Sequence, residues 1–272
     1  VEKSEQQEKR LIAVVGKGGT GKSALTGLMT RILLGSRRLK ILLIDADPTM
    51  GLCSLLGVKA CKTIEDVRNE IIRAAGSGKR EDRTRMAHTL DYHILEALIE
   101  AKGFGLLAMG EPQTSGCFCP ANELLKRAIE SLSRNFDVVL IDCEAGLEQI
   151  TRKVIGNIET LLITTDLSMR GAYTAVAIEK AAHKFTRAKQ IGLVVNRVRD
   201  GEDSALNLAR ETEIELFGWI PEDSRLSEWD RAGRPIFDLP EDSPCVVAVG
   251  RIMKRMNLGD SSFLPEASFH RE

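Results

Sequence analysis

No charge of either sign dominates this 272-residue sequence: 38 Lys and Arg are matched by 39 Asp and Glu, for a formal net charge of −1. The balance removes the basic excess that non-specific nucleic-acid binding needs, so no nucleic-acid partner is expected. Long hydrophobic runs are missing as well. The longest, such as LIAVV and ILLI, have strand length and fall far short of the roughly 18 residues needed to span a bilayer, so no membrane partner is expected. The first ten residues, VEKSEQQEKR, lack the apolar region and small-residue cleavage site of a secretory signal, which makes a cytoplasmic location the expectation. Aromatic residues are scarce at 4%, yet 43% of the chain is hydrophobic, enough for a sizeable core. With no internal repeat, and at roughly 100 to 200 residues per domain, residues 1–272 are read as a single domain, with 1–9 and 259–272 as loosely ordered tails.

Short β-branched or Leu-rich runs alternate with longer segments of helical apolar spacing along the whole chain, a rhythm that predicts parallel β/α units. Strands are expected over 11–16, 40–45, 105–110, 136–142, 160–165, 190–196 and 216–220. Each is nearly all apolar, and strands apolar on both faces belong to a sheet covered on both sides. The expected fold is therefore α/β: a doubly wound, mainly parallel sheet of about seven strands with helices on both faces. Helices are expected over 23–34, 63–75, 121–132, 171–185 and 244–257. The last mixes apolar residues with Arg251, Lys254 and Arg255; it is read as a helix closing the core rather than an amphipathic membrane anchor. Residues 76–84, GSGKREDRT, contain no apolar side chain and read as an exposed loop.

Directly after the first expected strand comes Gly16-Lys17-Gly18-Gly19-Thr20-Gly21-Lys22-Ser23, followed by a helical run. This is P-loop spacing in the strand–loop–helix setting that the motif requires. The glycines let successive backbone N–H groups turn toward phosphate oxygens, and the helix N-terminus adds its positive end. Lys22 reaches the β and γ phosphates, and Ser23 ligates Mg²⁺. The 40–45 strand runs into Asp45-Ala46-Asp47-Pro48, and the 136–142 strand into Asp142-Cys143-Glu144-Ala145-Gly146. Asp142 suits holding Mg²⁺ and its water shell, with Asp45 a further carboxylate at the ion. Asp47 or Asp45 suits orienting the water that attacks the γ-phosphate.

Together GKGGTGKS, with its lysine in second place, DADP, DCEAG and VVNRV resemble the deviant-Walker P-loop ATPases, over almost the whole chain. That group contains MinD, ParA, the nitrogenase iron protein and metal-centre maturation ATPases. The resemblance implies an ATP-driven homodimer in which Lys17 matches the signature lysine that crosses to the partner's nucleotide. Asp47 matches the switch I aspartate of hydrolysis, so Lys17, Lys22 and Asp47 form the implied catalytic set. Base contacts are implied at Asn196 and Arg197, matching the strand-end asparagine, and at Pro221 and Asp223, in an IPxD-like loop. The guanine-specific NKxD signature is absent at Asn196, so ATP is the expected nucleotide.

Six cysteines are scattered apart from Cys117-Phe118-Cys119. Two thiolates one residue apart supply half of a four-ligand closed site. A two-fold dimer would bring both pairs to one axis as an S₄ cage for Zn²⁺, Ni²⁺ or a bridging iron–sulfur cluster. The pair's place, between the third strand and its helix, resembles that of the CooC-type nickel-insertion ATPases, which mature carbon monoxide dehydrogenase. The resemblance implies Ni²⁺, or Zn²⁺, at Cys117 and Cys119, and a client nickel enzyme of the carbon monoxide dehydrogenase or acetyl-CoA synthase type. Where that family often has proline between the thiols, this chain has Phe118, with Pro120 following. One alternative is an iron–sulfur-cluster ATPase or reductase resembling the nitrogenase iron protein, against which stands the lack of a cysteine shortly after Glu144. Another is a MinD-like positioning ATPase, in which the cysteine pair has no purpose. Cys53, Cys61, Cys143 and Cys245 are isolated and read as core residues, with Cys143 set apart by its place beside Asp142. His88, His93, His183 and His270 show no ligand spacing.

Overall fold

Along each central strand the side chains alternate between two separate apolar cores. Ala13 and Val15 lie in one and Ile12 and Val14 in the other, and the same division separates Leu42 and Ile44 from Ile41 and Leu43. A strand that is apolar throughout needs cover on both sides, and the helices supply it. The computed structural model describes residues 10–35, 39–76, 89–112, 119–146, 150 and 155–258. The expected tails and most of the 76–84 loop lie outside them.

The strands are β1 (Arg10–Gly16), β2 (Ile41–Asp45), β3 (Ile99–Ala101), β4 (Phe104–Ala108), β5 (Val138–Asp142), β6 (Thr160–Thr165), β7 (Gln190–Val198) and β8 (Leu216–Pro221). They form an 8-stranded sheet in the order β3-β4-β2-β5-β1-β6-β7-β8. All neighbours are parallel except β3 and β4. The fold is thus the expected doubly wound one, with β3 as a strand beyond the expected set. Three residues long and turned into β4 at Gly103 (φ 95°), β3 is too short for a period-2 pattern to stand out.

Helices α1 (Lys22–Gly35), α2 (Gly51–Leu55) and α8 (Pro244–Arg255) cover one face, and α3 (Ile64–Gly76), α4 (Cys119–Leu132), α5 (Met169–Phe185) and α6 (Glu202–Thr212) the other. Local chemistry starts several of them. Thr63 and Asp66 form a reciprocal box at α3: Thr63 N donates to Asp66 Oδ2 (2.9 Å) and Asp66 N to Thr63 Oγ1 (3.2 Å). Ser168 Oγ accepts from Gly171 N at the head of α5 (3.0 Å). Helices α2, α6 and α7 (Ser224–Arg231) were not in the expected set; α7 is short, and its apolar face is limited to Leu226 and Trp229, half-buried against the core.

The apolar side of α8 is occupied. Val246, Val249, Ile252 and Met253 are buried against α1 and β8, and Gly218 of β8 leaves the room that Ile252 fills, since a Cβ there would stand 2.6 Å from Ile252 Cγ1. This segment closes the core, as its pattern suggested. Among the described residues no helix is long and apolar enough to cross a membrane. Ile252→Ala should lower the unfolding free energy by about 2–5 kcal/mol; a urea titration showing no loss would remove α8 from the core.

Candidate functional site

Loops that follow β1, β2, β5, β7 and β8 converge beyond the carboxyl ends of the strands, where β1 lies between β5 and β6 and the strand order reverses. Two glycines of the P-loop are demanded by close approach. A Cβ on Gly16 would stand 2.2 Å from the Thr164 carbonyl oxygen of β6, and one on Gly21, at φ +93°, would stand 2.1 Å from Asn196 Nδ2. Gly19, at φ +80°, faces open space, as a loop that wraps an anion requires. Thr20 closes the turn on itself, its N–H and hydroxyl both donating to the Lys17 carbonyl (3.3 and 2.8 Å).

Asn196 comes to this loop from the far side. Its Nδ2 donates to the Thr20 carbonyl (2.8 Å) and its Oδ1 accepts from Arg197 N (2.9 Å). Both ends of the amide are engaged within the protein, so Asn196 braces the P-loop while it borders the cleft. The cleft itself has a volume of about 530 Å³, within the usual range for a small-molecule site. Gly18, Gly19, Gly21, Lys22, Ser23 and Asp47 line one side, and Arg197, Pro221 and Asp223 the other. Asp223 is also tied into the scaffold: Oδ1 accepts from Arg225 N to cap α7 (3.0 Å), and Oδ2 accepts from Cys245 N at the start of α8 (3.2 Å).

Beneath the loop lie Asp45 and Asp142, paired in register across β2 and β5 and both fully buried. Asp45 is satisfied by backbone: Oδ2 accepts from Cys53 N (3.0 Å) and Oδ1 from Asp47 N (3.4 Å). It holds in place the loop that carries Asp47. Burial raises its carboxyl to about 6, against the pull of those bonds. Asp142 differs, because neither of its oxygens has a hydrogen bond of ordinary geometry. Burial pushes it up to about 7; Ser23 and Lys22 oppose the shift and the charge of Asp45 adds to it. A buried carboxylate without a partner is costly. The hydroxyl of Ser23, the hard oxygens of Asp142 and the adjoining P-loop together fit Mg²⁺.

Asp47 is half-buried, and its Oδ1 accepts from both N and Oγ1 of Thr49 (3.0 and 2.8 Å). Lys17 does not line the cleft of its own chain. Its charge acts on Asp166, beyond the end of β6, whose carboxyl burial raises while Ser168 and Lys17 hold it below the usual range. Cys143 is buried, and burial pushes its thiol up, so it is shielded from solvent chemistry. Cys117 lies outside the described residues, and Cys119 opens α4. Among the described residues no group of three or more His, Cys, Asp or Glu is placed to hold a metal. Thr164, Gly51, Ser54 and Leu55 also shape the site; no local pattern marks them, because only the packing of β6 and α2 brings them near.

A family profile described as the CobQ/CobB/MinD/ParA nucleotide binding domain matches residues 11–236. The chain belongs to this family. Within it, the chain is 36% identical over 251 residues to an uncharacterized ATP-binding protein of Methanocaldococcus jannaschii, covering 90% of this chain and 98% of that one. It is 32% identical over 241 residues to the carbon monoxide dehydrogenase accessory protein CooC of Rhodospirillum rubrum, covering 84% and 89%. Among solved structures, the septum site-determining protein MinD of Pyrococcus horikoshii, complexed with Mg-ADP, superposes with a TM-score of 0.67 at 23% identity, over 92% of this chain and 96% of that one. The deviant-Walker resemblance therefore holds at the level of the MinD/ParA ATPases.

The Asp142 environment has a measurable consequence. The folded chain holds that proton more tightly than the unfolded chain, whose carboxyl titrates near its ordinary value of about 4. Stability is therefore lost as pH rises toward about 7. In urea titrations without Mg²⁺ and nucleotide, Asp142→Asn should be more stable than the parent at pH 8. The advantage should shrink steadily from about pH 7 to about pH 4, and a pH-independent difference would contradict the assignment.

Proposed function

We propose that this chain is a Mg²⁺-dependent ATPase that dimerises on ATP and delivers a metal ion, bound by Cys117 and Cys119, to a client enzyme. The carboxylate of Asp142, buried beside Lys22 and Ser23 with no hydrogen bond of ordinary geometry, carries the hydrolytic half of this reading. In the bound complex Lys22 and the N–H groups of 18–23 hold the β and γ phosphates, while Ser23 and Asp142 fix the cation. Mg²⁺ supplies neutralisation of phosphate charge. Asp47, on a loop anchored by Asp45, orients a water for in-line attack on the γ-phosphorus. The bond to the β–γ bridging oxygen breaks and its electron pair leaves with ADP. The position of Lys17, outside its own cleft, supports a role across the dimer at the partner's nucleotide. Arg197 and Pro221 border the end of the cleft suited to the base, and Asn196 and Asp223 hold its walls.

The metal-delivery half rests on the cysteine pair and on the similarity to the carbon monoxide dehydrogenase accessory protein CooC. Nickel, with zinc as its competitor at thiolates, is the proposed cargo, and a nickel enzyme resembling carbon monoxide dehydrogenase the proposed client. Burial of the apolar face of α8 speaks against a MinD-like anchor in that helix.

Anaerobic metal analysis with size-exclusion chromatography tests both halves. With a non-hydrolysable ATP analogue the chain should elute as a dimer carrying one metal ion, lost in Cys117→Ser/Cys119→Ser. About four irons per dimer, with a charge-transfer absorption, would favour the iron–sulfur alternative. No metal, and identical behaviour of the variant, would leave a positioning ATPase. Asp47→Ala should retain ATP-induced dimerisation and lose about 10²-fold or more in hydrolysis; hydrolysis at the parent rate would exclude Asp47 from orienting water.

A further inference from the structure

A second cavity, of about 740 Å³, lies at the opposite end of the sheet from the P-loop. It is lined by Leu11 near the start of β1, by α4 and the turn after it, by 155–157 before β6, and by the end of α5. Its floor is apolar: Ile129 and Ile155 are buried there, and Leu11 and Phe185 are half-buried. Four cations surround this floor, Lys126, Arg134, Lys184 and Arg187, against one carboxylate, Glu130. Cations near helix C-termini complement the helix dipole, which accounts for Lys184 and Arg187 at the end of α5 and for Arg134 after α4. It does not account for Lys126 in the middle of α4, nor for the apolar floor. Lys126 forms no ion pair among the described residues, and the Lys184 ammonium rests 5.1 Å from the centre of the Phe185 ring. Arg134 already has an interaction partner.

We propose that this cavity is a binding site for a small organic anion with an apolar body, the charge meeting Lys126, Lys184 and Arg187 and the body lying on Ile129 and Phe185. Its volume suits a ligand of that size. An apolar floor ringed by charged groups fixes the orientation of such a molecule, and Phe185 offers a face for an aromatic ring. The site is separate from the ATP cleft and does not depend on the metal-delivery reading. The β5–β6 connection carries both Gly146, whose N–H donates to the Gly16 carbonyl (3.1 Å), and the 155–157 segment of the cavity wall.

The test uses the full chain, with the ATP cleft filled by a non-hydrolysable analogue and Mg²⁺, titrated with the amphipathic anion 8-anilinonaphthalene-1-sulfonate. Saturable fluorescence enhancement is expected, weakened about tenfold or more in Lys126→Glu/Lys184→Glu. The same charge reversal at Lys102 and Lys254, both outside the cavity, should leave it unchanged, as should replacing the probe by the uncharged N-phenyl-1-naphthylamine in the comparison of variants. Urea titration of each variant checks that folding is intact. Three outcomes would overturn the site: no saturable binding with the ATP cleft filled, equal weakening by the two charge reversals, or an equal effect on the uncharged probe.

Discussion

Two carboxylates stand side by side at the ends of adjacent strands, out of reach of water, and only one of them is satisfied by the protein. Asp45 is held by the N–H groups of Asp47 and Cys53, while Asp142 has no hydrogen bond of ordinary geometry. Ionised together they repel each other in a medium that screens poorly, and a cation or a proton relieves the strain. Around this pair the strand ends are stitched by backbone. Ala46 N donates to the Asp142 carbonyl, Met109 N to that of Asp45, Cys143 N to that of Val14, and Gly146 N to that of Gly16. Four strands therefore share one rigid rim, with Asp142 at its centre beside Lys22 and Ser23.

The P-loop is held in this rim by partners from distant parts of the chain. Thr164 of β6 lies against Gly16 and Asn196 of β7 against Gly21, so the loop conformation is set before any phosphate arrives. Such preorganisation reduces the ordering cost of binding and of reaching the transition state. Asp47 is held within its own short segment. Its side chain is held mainly by Thr49 next to it, in the short segment between β2 and α2, where Met50 adopts a positive φ of 53°. A braced phosphate loop beside a locally held aspartate is the division of labour a nucleotide switch needs: one part binds and the other changes.

The molecule also has a far end. Its basic, apolar-floored cavity lies at the opposite end of the same sheet from the P-loop. The central strands alternate between the two hydrophobic clusters, and close-packed interiors of this kind shift as rigid pieces rather than deform smoothly.

Much of this was legible in the chain because the signals are local. Runs apolar throughout specify strands buried on both faces, and GKGGTGKS after such a run specifies a phosphate loop, since both depend only on neighbours in sequence. The short strand β3 and the polar helix α7 were not legible, because three residues set no period and α7 turns only Leu226 and Trp229 toward the core. Several site roles lay further from reach. Asp45 and Asp142 look alike at the ends of their strands; the turn after β2 gave Asp45 the N–H of Asp47, the packing of α2 gave it the N–H of Cys53, and Asp142 was left without a hydrogen bond of ordinary geometry. Asn196 reads as a strand-end residue, and only the approach of β7 to Thr20 made it a brace for the phosphate loop. The sequence by itself determined the family of folds, the phosphate loop and the cysteine pair. Which distant polar groups found partners was decided by tertiary structure, because a hydrogen bond such as that from Asn196 to Thr20, 176 positions apart, exists only once the strands are side by side.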